Sequence, residues 1–106
     1  MLKYIALYQM PDNPDAFEEQ YFGSHMPLVA RTPGLVRAEV AKVDRMFVPG
    51  FLGETKLYLM AEMYFESAES AKAAFSSAEW QAAGANLAEI GGMPLVAMFT
   101  ANVVDA

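Results

Sequence analysis

Cysteine is absent from the 106 residues, and histidine occurs once, at position 25. Without cysteine the chain forms no disulfide, offers no thiolate nucleophile and builds no thiolate-ligated metal site; a single imidazole makes no multi-histidine site within one chain. Metal-free chemistry follows. Basic residues are also few, with seven against thirteen acidic ones and a net charge of -6. That sign opposes phosphate backbones and anionic membrane surfaces, so neither nucleic acid nor membrane is expected as a partner. No uninterrupted apolar run reaches the roughly twenty residues that a membrane span requires. The opening MLKYIALYQMPD has a lysine and a short apolar run but no small-residue cleavage site, and it reads as a strand of a cytosolic protein.

What is abundant is apolar surface, 55% hydrophobic and 12% aromatic residues. A chain of this length buries one compact core and has no room for a second, so residues 1–106 are expected to form a single domain. LKYIALYQM, 2–10, is rich in β-branched and aromatic residues and predicts the first strand. Asn13 then suits a helix N-cap and Pro14 the position after it, where no amide donor is needed. Phe17, Tyr21, Ser24 and Leu28 fall on one helical stripe that should face the core. LVRAEVAKV, 35–43, predicts a half-buried or edge strand, and DRMFVPGFLGET a long connection to KLYLMAEMYF, 56–65, the third strand. Ser67 caps a short helix, and SSAE at 76–79 reads as a capping box that restarts it, with Trp80, Ala83, Leu87 and Ile90 on one stripe. GGMP ends that helix, and LVAMFTANVV, 95–104, predicts the fourth strand.

The order βαββαβ predicts an α+β fold, a ferredoxin-like plait with a four-stranded antiparallel sheet and both helices on one face. Strand one places Leu2, Tyr4, Ala6 and Tyr8 on one side and Ile5 and Leu7 on the other, while strands three and four are apolar in both phases. Both sheet faces therefore call for burial, and the helix-free face is expected to close against a second copy as a homodimer.

Within YFGSHMPLVARTPG, 21–34, the one histidine precedes a proline by two positions. Counting about 100° per residue from Phe17 puts Tyr21 near roughly 40° and His25 near roughly 80°, on the flank of the buried stripe. Pro27 has no amide for the Gly23 carbonyl and crowds it, a defect of about 3 kcal/mol in a regular helix. It also biases Met26 away from the helical region, so the helix should kink or end around residues 24–26. An imidazole at such a break can act as general acid or base near neutral pH. It can equally be structural, bonding the carbonyl that Pro27 leaves free.

YFGSHMPLVARTPGL resembles the EthD family, in which the first helix ends in a His-x-Pro-Leu motif carried here by His25, Pro27 and Leu28; SAEW at 77–80 echoes a family serine and glutamate before the second helix. The resemblance implies a dimeric α+β barrel made of two plaits joined sheet to sheet. Its superfamily includes proteins tied to ether degradation, muconolactone isomerases, polyketide cyclases and cofactor-free monooxygenases. In similar enzymes the histidine faces a pocket between helices and sheet, which favours a catalytic over a structural His25. Haem-handling proteins occur there too, but with a ligand from another helix, where this chain has no histidine; no cofactor is expected.

Tyr8, Tyr21 and Tyr64 are candidate substrate-binding residues, each joining an apolar wall to a hydroxyl donor, and Trp80 is a candidate wall. Glu62 and Asn102 are weaker polar candidates, and Met10, Met26, Met60, Met63 and Met98 are adaptable fillers near the strands and the break. Phe47, Val48, Phe51 and Leu52 are apolar in a connection and suggest a dimer contact or a flap over the pocket. The expected ligand is a small hydrophobic or aromatic catabolite. Isomerase, cyclase or lyase chemistry with His25, a cofactor-free monooxygenase and a non-catalytic carrier all fit the sequence.

Overall fold

A computed structural model of the chain describes residues 1–105. Strand β1 spans Leu2–Gln9, β2 Arg37–Lys42, β3 Leu57–Phe65 and β4 Val96–Asn102. They form one antiparallel sheet in the order β2-β3-β1-β4. That is the strand order of the ferredoxin-like plait, with the first and third strands central.

The register sorts the side chains onto two faces. Leu2, Tyr4, Ala6 and Tyr8 pair with Phe65, Met63, Ala61 and Leu59 of β3, and these alternate residues meet the helices and form the core. The other phase of β1, Lys3, Ile5 and Leu7, lies beside Tyr64, Glu62 and Met60 on one flank and Ala101, Phe99 and Ala97 on the other. This helix-free face is not uniformly apolar. Ile5, Leu7, Met60 and Phe99 make its apolar half, whereas toward β2 the Lys3 ammonium donates to Glu62 Oε1 at 3.3 Å and the Arg37 guanidinium lies 4.1 Å above the Tyr64 ring.

The first helical segment is irregular at His25 as expected, but by a π turn and not by a kink or an end. Helix α1, Pro14–Gln20, begins as expected, with Asn13 Oδ1 accepting from the Ala16 amide at 3.2 Å. It then runs through one π turn, Tyr21–His25, into α2, Met26–Val29, and Tyr21, His25 and Met26 all keep right-handed helical dihedrals. In the π turn the Met26 amide donates to the Tyr21 carbonyl five residues back. A wider turn moves the carbonyls that a regular helix would press against the Pro27 ring, so the chain passes proline without ending. The turn also absorbs one extra residue. After Phe17 and Tyr21 the buried positions are therefore His25 and Val29, each one later than the expected Ser24 and Leu28.

Helix α3, Ala68–Phe75, is capped by Ser67, and α4, Ala78–Glu89, by Ser77, whose Oγ accepts from the Trp80 amide at 3.1 Å. The cap falls one residue later than the capping-box pattern suggests, because Ser76 closes α3. Gly91 takes a left-handed φ of 81°, and a Cβ on Gly92 would stand 2.4 Å from Leu87 Cδ1, so this double glycine both ends the helix and lets the chain pass under it. The connection between β2 and β3 contains only a short turn, Gly50–Leu52. Among the described residues, no helix is long and apolar enough to cross a membrane.

Candidate functional site

The core is built on aromatic contacts between β1 and the helices. Tyr8 meets Tyr21 edge to face at 5.2 Å, Tyr21 stacks on Phe17 at 5.5 Å and lies 5.1 Å from the His25 ring, and Tyr4 meets Trp80 edge to face at 4.8 Å. Between these groups the packing leaves a cavity of about 410 Å³, within the range of small-molecule sites. Tyr8 and Tyr4 from β1, Tyr21 and His25 from the π turn, and Trp80 and Gln81 from α4 supply its polar edges. Met26, Val29, Met63, Leu87, Met93 and Met98 supply apolar wall. Among the described residues, no aspartate, glutamate, lysine or arginine lines it.

His25 is 6% exposed, and its Nδ1 has no hydrogen-bond partner among the described residues. The bond to a carbonyl freed by Pro27 is thus not formed through that nitrogen. Burial pushes the imidazole pKa below its ordinary value, while the Asn86 side chain and the Ala83 carbonyl act in the opposite direction. Burial raises the phenols of Tyr4, Tyr8 and Tyr21 as well, so they remain protonated hydrogen-bond donors. The Tyr4 hydroxyl already donates to Met98 Sδ at 2.7 Å. The arrangement can hold a ligand oxygen by phenol donors while a neutral imidazole exchanges a proton with it.

The structure brings Tyr8, Tyr21, Trp80 and His25 to one cavity and places Tyr64 elsewhere. Tyr64 pairs with Lys3 and Arg37 on the helix-free face, so the sheet itself separates it from His25. Its hydroxyl donates to Glu62 there, at 3.4 Å, and Asn102 pairs with Leu2 near the end of β4; neither Glu62 nor Asn102 lines the cavity. Met26, Met63 and Met98 do line it, while Met10 and Met60 do not. Phe47, Val48, Phe51 and Leu52 also lie outside the lining.

Sequence reading missed Tyr4, Gln81, Met93 and the small residues Ala83, Gly84 and Ala85 of α4. Tyr4 was within reach, since it shares a strand phase with Tyr8. Gly84 is the more informative omission. It sits inside a helix, where glycine costs about 1 kcal/mol relative to alanine, yet a Cβ there would meet nothing within 4 Å. Among the described residues no packing contact requires glycine at this position, and its missing side chain leaves room in the cavity it lines.

These features define a class: a ferredoxin-like plait with a hydrophobic, uncharged cavity between sheet and helices and a single buried imidazole in it. The EthD domain pattern matches residues 12–89. An EthD-family protein of Bacillus halodurans has a crystal structure that superimposes with a TM-score of 0.86 at 34% identity, covering 98% of this chain and 99% of that one. An uncharacterised 11.0 kDa protein from the thcB-thcC intergenic region of Rhodococcus erythropolis is 34% identical over 94% of this chain and 93% of its own length. A dimeric ferredoxin-like protein of unknown function from Thermobifida fusca shares the fold with a TM-score of 0.64 at 18% identity, covering 96% and 90% of the two chains. The chain belongs to the EthD family.

Two outcomes test this site. Between the unfolded pKa near 6.5 and the lower folded value, the unfolded chain binds the His25 proton and the folded one does not, so stability rises with pH across that window. Urea unfolding should therefore show a midpoint that falls as pH drops through 6.5, and His25→Phe should remove this dependence; an unchanged dependence would assign it to other groups. Gly84→Ala should raise stability by up to about 1 kcal/mol in the same assay, and a loss would show that the glycine serves packing instead.

Proposed function

We propose that this EthD-family protein is a homodimeric small-molecule-binding protein that takes an uncharged hydrophobic or aromatic ligand into the cavity beside His25. The observation that carries this reading is the 410 Å³ hollow itself, with phenol, indole and imidazole edges and no charged side chain among the described residues that line it. An unpaired carboxylate or phosphate buried there would lose its hydration without a countercharge, a cost of several kcal/mol. A flat ring system bearing an oxygen meets no such penalty and can accept from a tyrosine hydroxyl. Ring compounds of one or two fused rings match the volume.

His25 then exchanges a proton with the bound ligand. Its lowered pKa keeps it neutral at physiological pH and poised as a base, which suits isomerisation, cyclisation or lyase chemistry on an acidic O–H or C–H group. Such steps need no metal or cofactor. We further propose that the protein works in the cytoplasm, on an intermediate of a catabolic route. The carrier reading differs from the enzymatic one in a single respect: replacing His25 with asparagine abolishes turnover in an enzyme and changes nothing but affinity in a carrier.

The dimer forms, in this proposal, through the apolar half of the helix-free face, where Ile5, Leu7, Met60 and Phe99 lie together. Phe99 is 45% exposed in the single chain, and Phe47, Val48 and Phe51 are more exposed still. Large apolar side chains left in water are the ordinary signature of a surface that a partner covers. The related fold from Thermobifida fusca is described as dimeric, which agrees with a second copy as that partner.

Calorimetry with two probes tests the ligand class. 1-Naphthol, uncharged at pH 7, should bind more than about tenfold more tightly than 1-naphthoate, the anion of similar size; equal or inverted affinities would refute the uncharged-ligand reading. Sedimentation tests the assembly. The wild type should run as a dimer at micromolar concentration and Ile5→Asp as a monomer, because two buried carboxylates would face each other across the interface.

A further inference from the structure

Two polar atoms on facing elements are buried without partners among the described residues. One is Nδ1 of His25 in the π turn, and the other is Oδ1 of Asn86 on α4. A buried polar atom left unpaired is costly, and a single hydrogen bond from Nδ1–H to Oδ1 would satisfy both. The Asn86 amide and the Ala83 carbonyl both lie close enough to His25 to favour its protonation, so Ala83 is the competing acceptor on α4.

The orientation of that amide is fixed from behind. Ser24 Oγ donates its hydrogen to the Gln20 carbonyl at 2.8 Å, so its remaining capacity is as an acceptor. Asn86 Nδ2 donates to it at 3.4 Å. With the amino group committed to Ser24, the carbonyl oxygen is the end left for the imidazole. Asn86 itself does not line the cavity; it borders a separate outer cleft with Ser24 and Gln20, and so backs His25 from the side away from the ligand space.

We propose that Asn86 is a positioning residue that holds neutral His25 as its Nδ1–H tautomer and so presents Nε2 to the cavity as a lone-pair acceptor. His25 lines the cavity while its Nδ1 is fully buried, which leaves Nε2 as the nitrogen able to meet a ligand. The consequence for the cavity rests on the reading given under Proposed function: His25 acts on ligands that offer a proton, an enol, a phenol or an activated C–H, and does not donate to a ligand carbonyl in its resting state. That donation falls to Tyr8 and Tyr21, whose phenols burial keeps protonated, since Tyr4 gives its one hydrogen to Met98 Sδ. Donors and acceptor are thus separate groups.

The single histidine makes the test direct, since long-range proton–nitrogen correlation of histidine-labelled protein contains one imidazole. The ligand-free wild type at pH 8 should show Nδ1 protonated and Nε2 bare. Asn86→Ala should shift the population toward Nε2–H, the form usual in water. Asn86→Asp keeps an oxygen at the same place and adds a charge, so it should retain Nδ1–H and raise the imidazole titration midpoint by about one unit or more. A merely structural Asn86 would leave the tautomer unmoved in the alanine variant. Nε2–H in the wild type, or an unaltered tautomer in a folded alanine variant, would overturn the proposal; should the alanine variant not fold, an unmoved midpoint in the aspartate variant overturns it alone. None of these readings needs a bound ligand, so a failure of 1-naphthol to bind would count against the cavity reading and leave the tautomer result standing.

Discussion

The passage of the first helix across Pro27 is the constraint on which the site depends. A regular helix would set the proline ring against the Gly23 carbonyl, and a broken one would release His25 toward the surface. The π turn over Tyr21–His25 avoids both. It widens the helix, keeps helical dihedrals on either side and absorbs one residue, so that the buried stripe continues as His25 and Val29. The imidazole is inward because the turn holds an extra residue. Burial then follows, and with burial the lowered pKa that favours the neutral ring.

The sheet divides the remaining tasks by strand phase. Alternate residues of β1 serve different ends: Tyr4, Ala6 and Tyr8 line the cavity, while Ile5 and Leu7 look outward toward a surface suited to association. A shift of one residue in the pairing of β1 would exchange the two sets. The register is held on both flanks by β3 and β4 over nearly the whole strand, with one irregularity at Tyr8/Gln9, where the cavity-lining run of β1 ends. Site geometry and outer surface are therefore coupled through one strand without sharing a side chain.

Much of this was legible in the sequence. The strand phase of β1, the Asn13 cap, the interrupted second helical region and the glycine stop all followed from local rules, because each depends on neighbours only a few residues away. Two features escaped for a common reason. A constant step of 100° cannot foresee a π turn, whose choice over a kink rests on the gain from keeping His25 and Val29 in the core. Tyr64 looked equivalent to Tyr8 as a buried strand tyrosine, and only the pairing with Lys3 and Arg37 reveals that it is covered by cations on the far face. Asn86 and Gly84 carried no motif at all. Their roles arise from what surrounds them across α4, one as an amide behind the imidazole and one as a missing side chain.

Charge completes the picture of selectivity at two distances. The chain as a whole carries -6, and its field repels anions approaching from solution, an effect that salt screens over about 8–10 Å. Inside the cavity the opposition is local and unscreened, since no lining cation among the described residues replaces the lost hydration of an anion. A cation would escape the first barrier and meet the second, where aromatic faces offer partial compensation but no carboxylate does. Neutral ligands alone face neither barrier. In the proposed ligand-binding role, selection among such molecules turns on where their oxygens and acidic protons meet the lining tyrosines and the single imidazole.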